Sequence, residues 1–199
     1  MGNVKRPAVF MDRDGTLNEQ MGHINHLSRF VLLPGAPEAV GLLNRAGFLA
    51  IVVSNQSGVA QGYAPLELVH EVHRHLESAL RGKGAFLDGI FFCPHHPRGT
   101  VPGYAMACGC RKPKTGLIDQ ACKAFEIDTA RSYVVGDRCQ DIQSAHRCGL
   151  PGILVKTGYG RGEAEYVLPG APEKPAHIAE DLYGAVCWIL EKEKSAVAR

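Results

Sequence analysis

No run of eighteen uninterrupted apolar residues occurs in the 199-residue sequence, so no membrane-spanning helix is expected. The N-terminal Met1-Gly2-Asn3-Val4-Lys5-Arg6 leads into an apolar stretch too brief for the core of a secretory signal, and a cytoplasmic location is expected. Charge of one sign is equally scarce. Lys and Arg number 22 against 20 Asp and Glu, a net charge of +2. With neither a basic stripe nor a basic groove interleaved with aromatics, a nucleic-acid partner is not expected. The seven cysteines are an odd number, unsuited to a closed disulfide framework, and in a reducing compartment they stay thiols. There is no internal repeat. What is present is 45% hydrophobic and 21% charged, the balance of a globular chain long enough to bury its own core. One domain spanning 1–199, acting as a monomer, is expected.

The chain is organised around residues 9–16, Val-Phe-Met-Asp-Arg-Asp-Gly-Thr. An apolar run that breaks into two carboxylates and a glycine reads as a buried parallel strand ending at a site, because ligands of open α/β sheets collect beyond the carboxyl ends of strands. Asp12 and Asp14, two apart, leave an extended backbone on the same side. Like charges held that close call for a cation between them.

The pattern repeats. Residues 17–33 are irregular and too few for a separate cap domain. Pro37 opens a helix that Gly47 stops, and residues 48–53 form a second strand ending in Ser54-Asn55-Gln56-Ser57-Gly58, where hydroxyls and free N–H groups suit an anion. A helix begins after Pro65. Its His70, His73 and His75 lack the spacing of a two-histidine zinc face and read as a solvated flank. Residues 86–92 are a third strand, 117–125 a helix, 132–135 a fourth strand ending in Gly136-Asp137-Arg138-Cys139-Gln140-Asp141, 142–148 a short helix and 151–155 a fifth strand. Residues 159–175, dense in Gly, Pro and charge, read as a surface loop, and 180–194 as a closing helix. Alternation of this kind predicts an α/β fold, a doubly wound, mostly parallel sheet with helices on both faces and a minimal cap.

Between the third strand and the next helix lie Cys93-Pro94-His95-His96-Pro97 and Cys108-Gly109-Cys110. Two close pairs of soft ligands on either side of a loop suit a tetrahedral Zn²⁺ held by Cys93, His95, Cys108 and Cys110, with His96 the competing ligand. Four protein ligands leave no place for water, so the zinc of loop 93–110 is expected to be structural. It would fix Arg111 and Lys112 directly after it. Cys122, Cys139, Cys148 and Cys187 have no partner spacing and read as small core residues, Cys139 near the site.

Strand ends carrying Asp12 and Asp14, Ser54 and Asn55, and Asp137 and Asp141 point to phosphoryl transfer. Asp12 and Asp137 can bind Mg²⁺, while Lys112, the Ser54 hydroxyl and the Asn55 N–H neutralise the remaining phosphate charge. Asp12 can then attack phosphorus, and Asp14 can serve first as acid and then as base, a double role that calls for a raised pKa.

Asp12-x-Asp14-Gly15-Thr16, Ser54, Lys112 and Gly136-Asp137-x-x-x-Asp141 resemble, in order, the four motifs of the haloacid dehalogenase superfamily. More narrowly, residues 11–16, 54–58, 93–97 and 110–113 are similar to the heptose-1,7-bisphosphate 7-phosphatases and the related histidinol phosphatases. The resemblance implies Asp12 as nucleophile, Asp14 as acid/base, and Mg²⁺ on Asp12, the Asp14 carbonyl and Asp137. It also implies a phosphorylated sugar bound by Arg13, Gln20, Met21, Gly22, His23, Asn55, Gln56, Ser57, Arg111 and Arg138. Two departures bear on the substrate: Gly22-His23-Ile24 stands where the heptose phosphatases usually have Gly-Tyr-Val, and Arg138 where Lys is frequent. Histidinol phosphate is the alternative substrate. A non-catalytic, zinc-stabilised module that binds phosphorylated ligands is the alternative class, although such a binder has no use for Asp14.

Overall fold

The computed structural model describes residues 5–197. Residues 1–4, on which the expectation of a chain without a secretory signal partly rests, lie outside the described residues.

Six parallel strands form one sheet: β1 (Ala8–Met11), β2 (Leu49–Asn55), β3 (Gly89–Cys93), β4 (Tyr133–Gly136), β5 (Gly152–Val155) and β6 (His177–Ala179), in the order β3-β2-β1-β4-β5-β6. The chain starts in the middle and winds outward both ways. That places the topological switch point at β1, where the order turns from β2 to β4. All four residues of β1 are buried, as its unbroken apolar run requires of a strand covered on both faces.

Alternate residues of each strand supply the two cores. Val9, Met11, Ala50, Val52, Val135 and Ile153 pack beneath α1 (Ala36–Arg45), α2 (Leu66–Arg81) and α6 (Leu182–Val197). Ala8, Phe10, Ile51, Val53 and Val134 pack against α3 (Gly116–Ala124) and, through Ala145, α4 (Cys139–Arg147). Pro37 stands in the first turn of α1, where its missing N–H costs nothing, and Gly47 leaves the helix with φ +80°. In α2, Val69, Val72, His73, Leu76 and Leu80 make the buried stripe at the three- and four-residue spacing that one helix face demands. His73 therefore belongs to the buried face and not to a solvated flank. Among the described residues no helix is long and apolar enough to cross a membrane.

The fold departs from the sequence pattern in two places. The strand β6 has no counterpart in the predicted elements: it has three residues, one of them the polar His177, and among the described residues it pairs only with β5, so it carries little periodic signal. Residues 159–175 are not simply a surface loop. They contain α5 (Gly160–Gly162), a π-turn over Glu163–Val167 and a 3-10 turn over Leu168–Gly170. Leu168 is buried against Ile142 and Leu154, and that anchoring lets a glycine-rich segment hold a fixed path. Of the four cysteines read as core residues, Cys139 is buried, Cys148 and Cys187 are half-buried, and Cys122 is exposed.

Candidate active site

The carboxyl ends of β1, β2 and β4 and the segment after the cysteine loop meet at one point. Asp12 comes directly after β1, with its N–H on the Val135 carbonyl (2.9 Å). The Lys112 ammonium, fully buried, lies 2.9 Å from Asp12 Oδ1, 2.7 Å from Asp141 Oδ1 and 2.8 Å from the Val53 carbonyl. Burial alone would lower the lysine's pKa, but the Asp12 and Asp141 carboxylates outweigh it and hold the ammonium well above its ordinary value. Asn55 clasps the same residue by its backbone: Asn55 Nδ2 donates to the Lys112 carbonyl (3.1 Å), and the Lys112 N–H donates to Asn55 Oδ1 (3.0 Å).

Asp12, Asp137 and Asp141 bring carboxylate oxygens within 4.8 Å of one another, all buried. Burial first, and then the charges of Asp12 and Asp141, push the Asp137 carboxyl up. Burial and Asp12 push Asp141 up against the opposing pull of Lys112. Asp137 Oδ2 accepts the Tyr159 N–H (2.8 Å), whereas its Oδ1 is buried with no hydrogen-bond partner. An orphaned carboxylate oxygen between two further carboxylates is what a hard cation would satisfy, so these residues fit Mg²⁺. Gly15 (φ +83°) and Gly158 (φ +56°) close over Asp137, and a Cβ on either would run into its carboxylate.

Asp14 stands apart from that cluster. Arg13 Nη2 donates to both of its oxygens (3.0 and 2.8 Å), Asn18 Nδ2 to Oδ1 (2.9 Å) and Gln56 Nε2 to Oδ2 (2.8 Å). Burial would raise its pKa, but the Arg13 charge and these donors prevail and hold it below the ordinary carboxylate range. The raised value expected for an acid/base residue is thus not that of the resting site. Arg13 is fully buried behind Asp14 and also reaches Gln56 Oε1 (3.0 Å). Buried Ser54 receives Gln56 Nε2 on its hydroxyl (2.9 Å).

These groups open into a polar cavity of about 240 Å³. Of the residues expected to bind or transform substrate, Asp12, Asp14, Gln20, Gly22, His23, Asn55, Gln56, Ser57, Arg111 and Arg138 line it. Arg13, Met21, Ser54 and Lys112 do not. Arg13, Ser54 and Lys112 lie beneath the lining, and the Met21 carbonyl accepts from Arg29 Nη2 (3.0 Å). Gln61, His96, Gln140 and Tyr159 also line the cavity, although their sequence context gives them no such role. Asp141 and Lys112 are each legible in their motifs, but the ion pair between them is not. Nothing in the local pattern marks Tyr159.

The Sγ atoms of Cys93, Cys108 and Cys110 lie 3.0–3.4 Å apart, with His95 Nδ1 3.5 Å from Cys110 and 3.8 Å from Cys93. Three thiols and an imidazole converging this closely form a donor set that fits Zn²⁺. The competing His96 accepts the Arg98 N–H on Nδ1 (3.1 Å) and faces the cavity instead. The cluster also tethers the basic segment next to it: Arg111 Nη1 donates to the His95 carbonyl (3.4 Å), and Lys114 Nζ to the Cys108 carbonyl (2.7 Å).

A strand-end aspartate beside a buried lysine and a carboxylate trio is the apparatus of a phosphatase, and residues 109–185 match the HAD-hydrolase-like family model. A D-glycero-D-manno-heptose-1,7-bisphosphate 7-phosphatase of Thermosynechococcus vestitus is 44% identical over 191 residues, 92% of this chain and 95% of the relative. The Yersinia pestis D-glycero-beta-D-manno-heptose-1,7-bisphosphate 7-phosphatase is 38% identical, covering 86% of this chain and 95% of the relative. The crystal structure of a D,D-heptose 1,7-bisphosphate phosphatase from B. bronchiseptica, complexed with magnesium and phosphate, superposes with a TM-score of 0.82 at 30% identity over 94% of this chain and 99% of that one. The chain belongs to the haloacid dehalogenase superfamily and, within it, to the heptose-1,7-bisphosphate 7-phosphatase family.

Proposed function

We propose that this protein removes the 7-phosphate of D-glycero-D-manno-heptose 1,7-bisphosphate through an aspartyl-phosphate on Asp12, in the synthesis of nucleotide-activated heptose for lipopolysaccharide. The observation that carries the chemistry is the Lys112 ammonium between Asp12 and Asp141. A bare carboxylate repels a phosphate dianion, and a fixed cation at 2.9 Å removes much of that barrier. An Asp12 oxygen attacks phosphorus as the bond to the sugar oxygen breaks. The approaching phosphate charge raises the pKa of Asp14, which takes up a proton as substrate seats and gives it to the departing alkoxide. Once ionised again and held by Arg13, Asn18 and Gln56, Asp14 takes a proton from the water that cleaves the acyl phosphate. Ser54 and the Asn55 N–H serve the transferring phosphate.

Mg²⁺ held by Asp12, Asp137 and the Asp14 carbonyl would supply further shielding of the phosphate oxygens, and Asp141 would fix Lys112. Zn²⁺ on Cys93, His95, Cys108 and Cys110 would be structural and hold Arg111 in place. Of the cavity-lining residues, Arg111 and Arg138 would meet the far end of the substrate, with Gln20, Gly22, His23, Gln56 and Ser57 around the sugar. Arg13 and Met21 would support that wall from outside the lining. The chain would work as one domain and as a monomer in the cytoplasm. Steady-state turnover of heptose 1,7-bisphosphate beside histidinol phosphate tests the reading: the bisphosphate is expected to be the faster substrate, and a preference for histidinol phosphate would overturn it.

A further inference from the structure

The segment after β5 turns back over the start of α4, and Arg138 is caught between its two ends. Glu163 divides its carboxylate: Oε2 accepts the Cys139 N–H at the first turn of α4 (2.9 Å), while Oε1 accepts Arg138 Nε (3.3 Å). The Glu163 side chain is 12% exposed, against 46% for Arg138, so the carboxylate is the better-fixed member of the pair. On the other side, the Arg138 guanidinium lies over the Tyr159 ring, 5.0 Å from its centroid, a stacking that a planar guanidinium makes better than an ammonium. Tyr159 is itself anchored, because its N–H is bonded to Asp137 Oδ2 at 2.8 Å. A side chain that would otherwise sweep through solvent is thereby held at the cavity wall by an anion and an aromatic face, and the aromatic residue is tied to a carboxylate of the reaction centre.

From this arrangement we infer that Glu163 is a positioning residue that sets substrate specificity through Arg138. It fixes the guanidinium where the second, non-reacting anionic group of a bisphosphate lies. The inference rests on the proposed function and extends it to a residue outside the cavity lining. An ammonium at position 138 would forgo the Tyr159 face that the guanidinium stacks on. Glu163 contributes nothing to bond breaking, so its effect is confined to substrates that possess a second anionic group.

The test is Glu163→Gln. The glutamine carbonyl can still accept the Cys139 N–H, so the start of α4 is kept, while the charge that holds Arg138 is lost. With heptose 1,7-bisphosphate, KM is expected to rise about tenfold, the size of one weakened charge-assisted contact, with kcat within twofold. With p-nitrophenyl phosphate both constants are expected to stay within twofold. In an Arg138→Ala background the same substitution is expected to add nothing. Thermal unfolding of Glu163→Gln within 2 °C of the parent would exclude a folding defect as the cause. An unchanged KM for the bisphosphate, equal losses on both substrates, or full additivity with Arg138→Ala would overturn the inference and leave the proposed function standing. A parent enzyme that hydrolyses p-nitrophenyl phosphate and not the bisphosphate would instead overturn the proposed function, and this inference with it.

Discussion

The Lys112 ammonium lies 2.9 Å from Asp12 Oδ1 and 2.7 Å from Asp141 Oδ1, and all three side chains are buried. Removing either carboxylate would leave the other to balance the ammonium alone, and removing the lysine would leave two like charges facing each other. The three residues therefore act as a unit, and single substitutions among them will not add.

Asp12→Asn is expected to keep the fold and lower kcat by at least about a thousandfold, because the amide retains the shape and loses the nucleophile. Rapid-quench trapping should find phosphate on Asp12 in the parent. Activity retained by the variant would eliminate the covalent route.

The two metal sites are expected to separate on chelation. Mild EDTA should stop turnover reversibly, and re-adding Mg²⁺ should restore it, while one zinc per chain persists because thiolate sites bind far more tightly. Elemental analysis of protein purified without chelator checks this, and an absence of zinc would refute the assignment. Cys108→Ser should reduce stability and activity together, since the cluster fixes Arg111 and Lys114.

For Arg111→Ala the preference for a bisphosphate over histidinol phosphate is expected to fall by about ten- to a hundredfold in kcat/KM, the loss of one charge-assisted contact. The cationic end of histidinol phosphate gains nothing from a guanidinium. Equal losses on both substrates would show that Arg111 does not discriminate between them.

His73 supplies a pH prediction. Burial in α2, and next the charge of Arg13, bring its pKa down to about 3. The unfolded chain binds a proton at this histidine below about pH 6.5 and the folded one does not. Its contribution is thus fully present above pH 6.5 and is lost as pH falls toward 3. Urea unfolding should show the parent losing stability on acidification faster than His73→Leu, by up to about 1.4 kcal/mol per pH unit. Parallel pH profiles would contradict this.

Gly15→Ala is expected to destabilise by about 1–2 kcal/mol from the left-handed backbone alone, and to weaken Mg²⁺ activation as well, because the added methyl meets the Asp137 carboxylate. Denaturant midpoints and the Mg²⁺ dependence of turnover measure the two effects. A variant with unaltered Mg²⁺ dependence would show that Gly15 serves only the turn.

The strands that position these groups are legible in the sequence because a strand buried on both faces must be apolar throughout, and residues 8–11, 49–53 and 133–135 are. The residues at their ends are legible because Asp, Ser and Asn interrupt those runs. What escapes a sequence reading depends on partners distant along the chain. The low pKa of Asp14 comes from Arg13, Asn18 and Gln56 closing on it together, and no spacing rule predicts that. Residues 159–175 have the composition of a loop, yet Leu168 and Glu163 each find a buried or charged partner that fixes the path. His73 reads as polar, and its place on the buried stripe is set only by the position of its helix relative to the sheet.

The strand order has a consequence for synthesis. β1 lies between β2 and β4, so during synthesis the strand leading into Asp12 emerges well before Gly136 and lacks its second neighbour until then. At about 5–20 residues per second that interval is on the order of ten seconds. Through it a fully apolar strand has one open edge, which parallel pairing with β4 alone can close. The nascent chain is expected to be most prone to aggregation, and most dependent on chaperones, in that window, and truncations ending before β4 should be insoluble where the full chain is not.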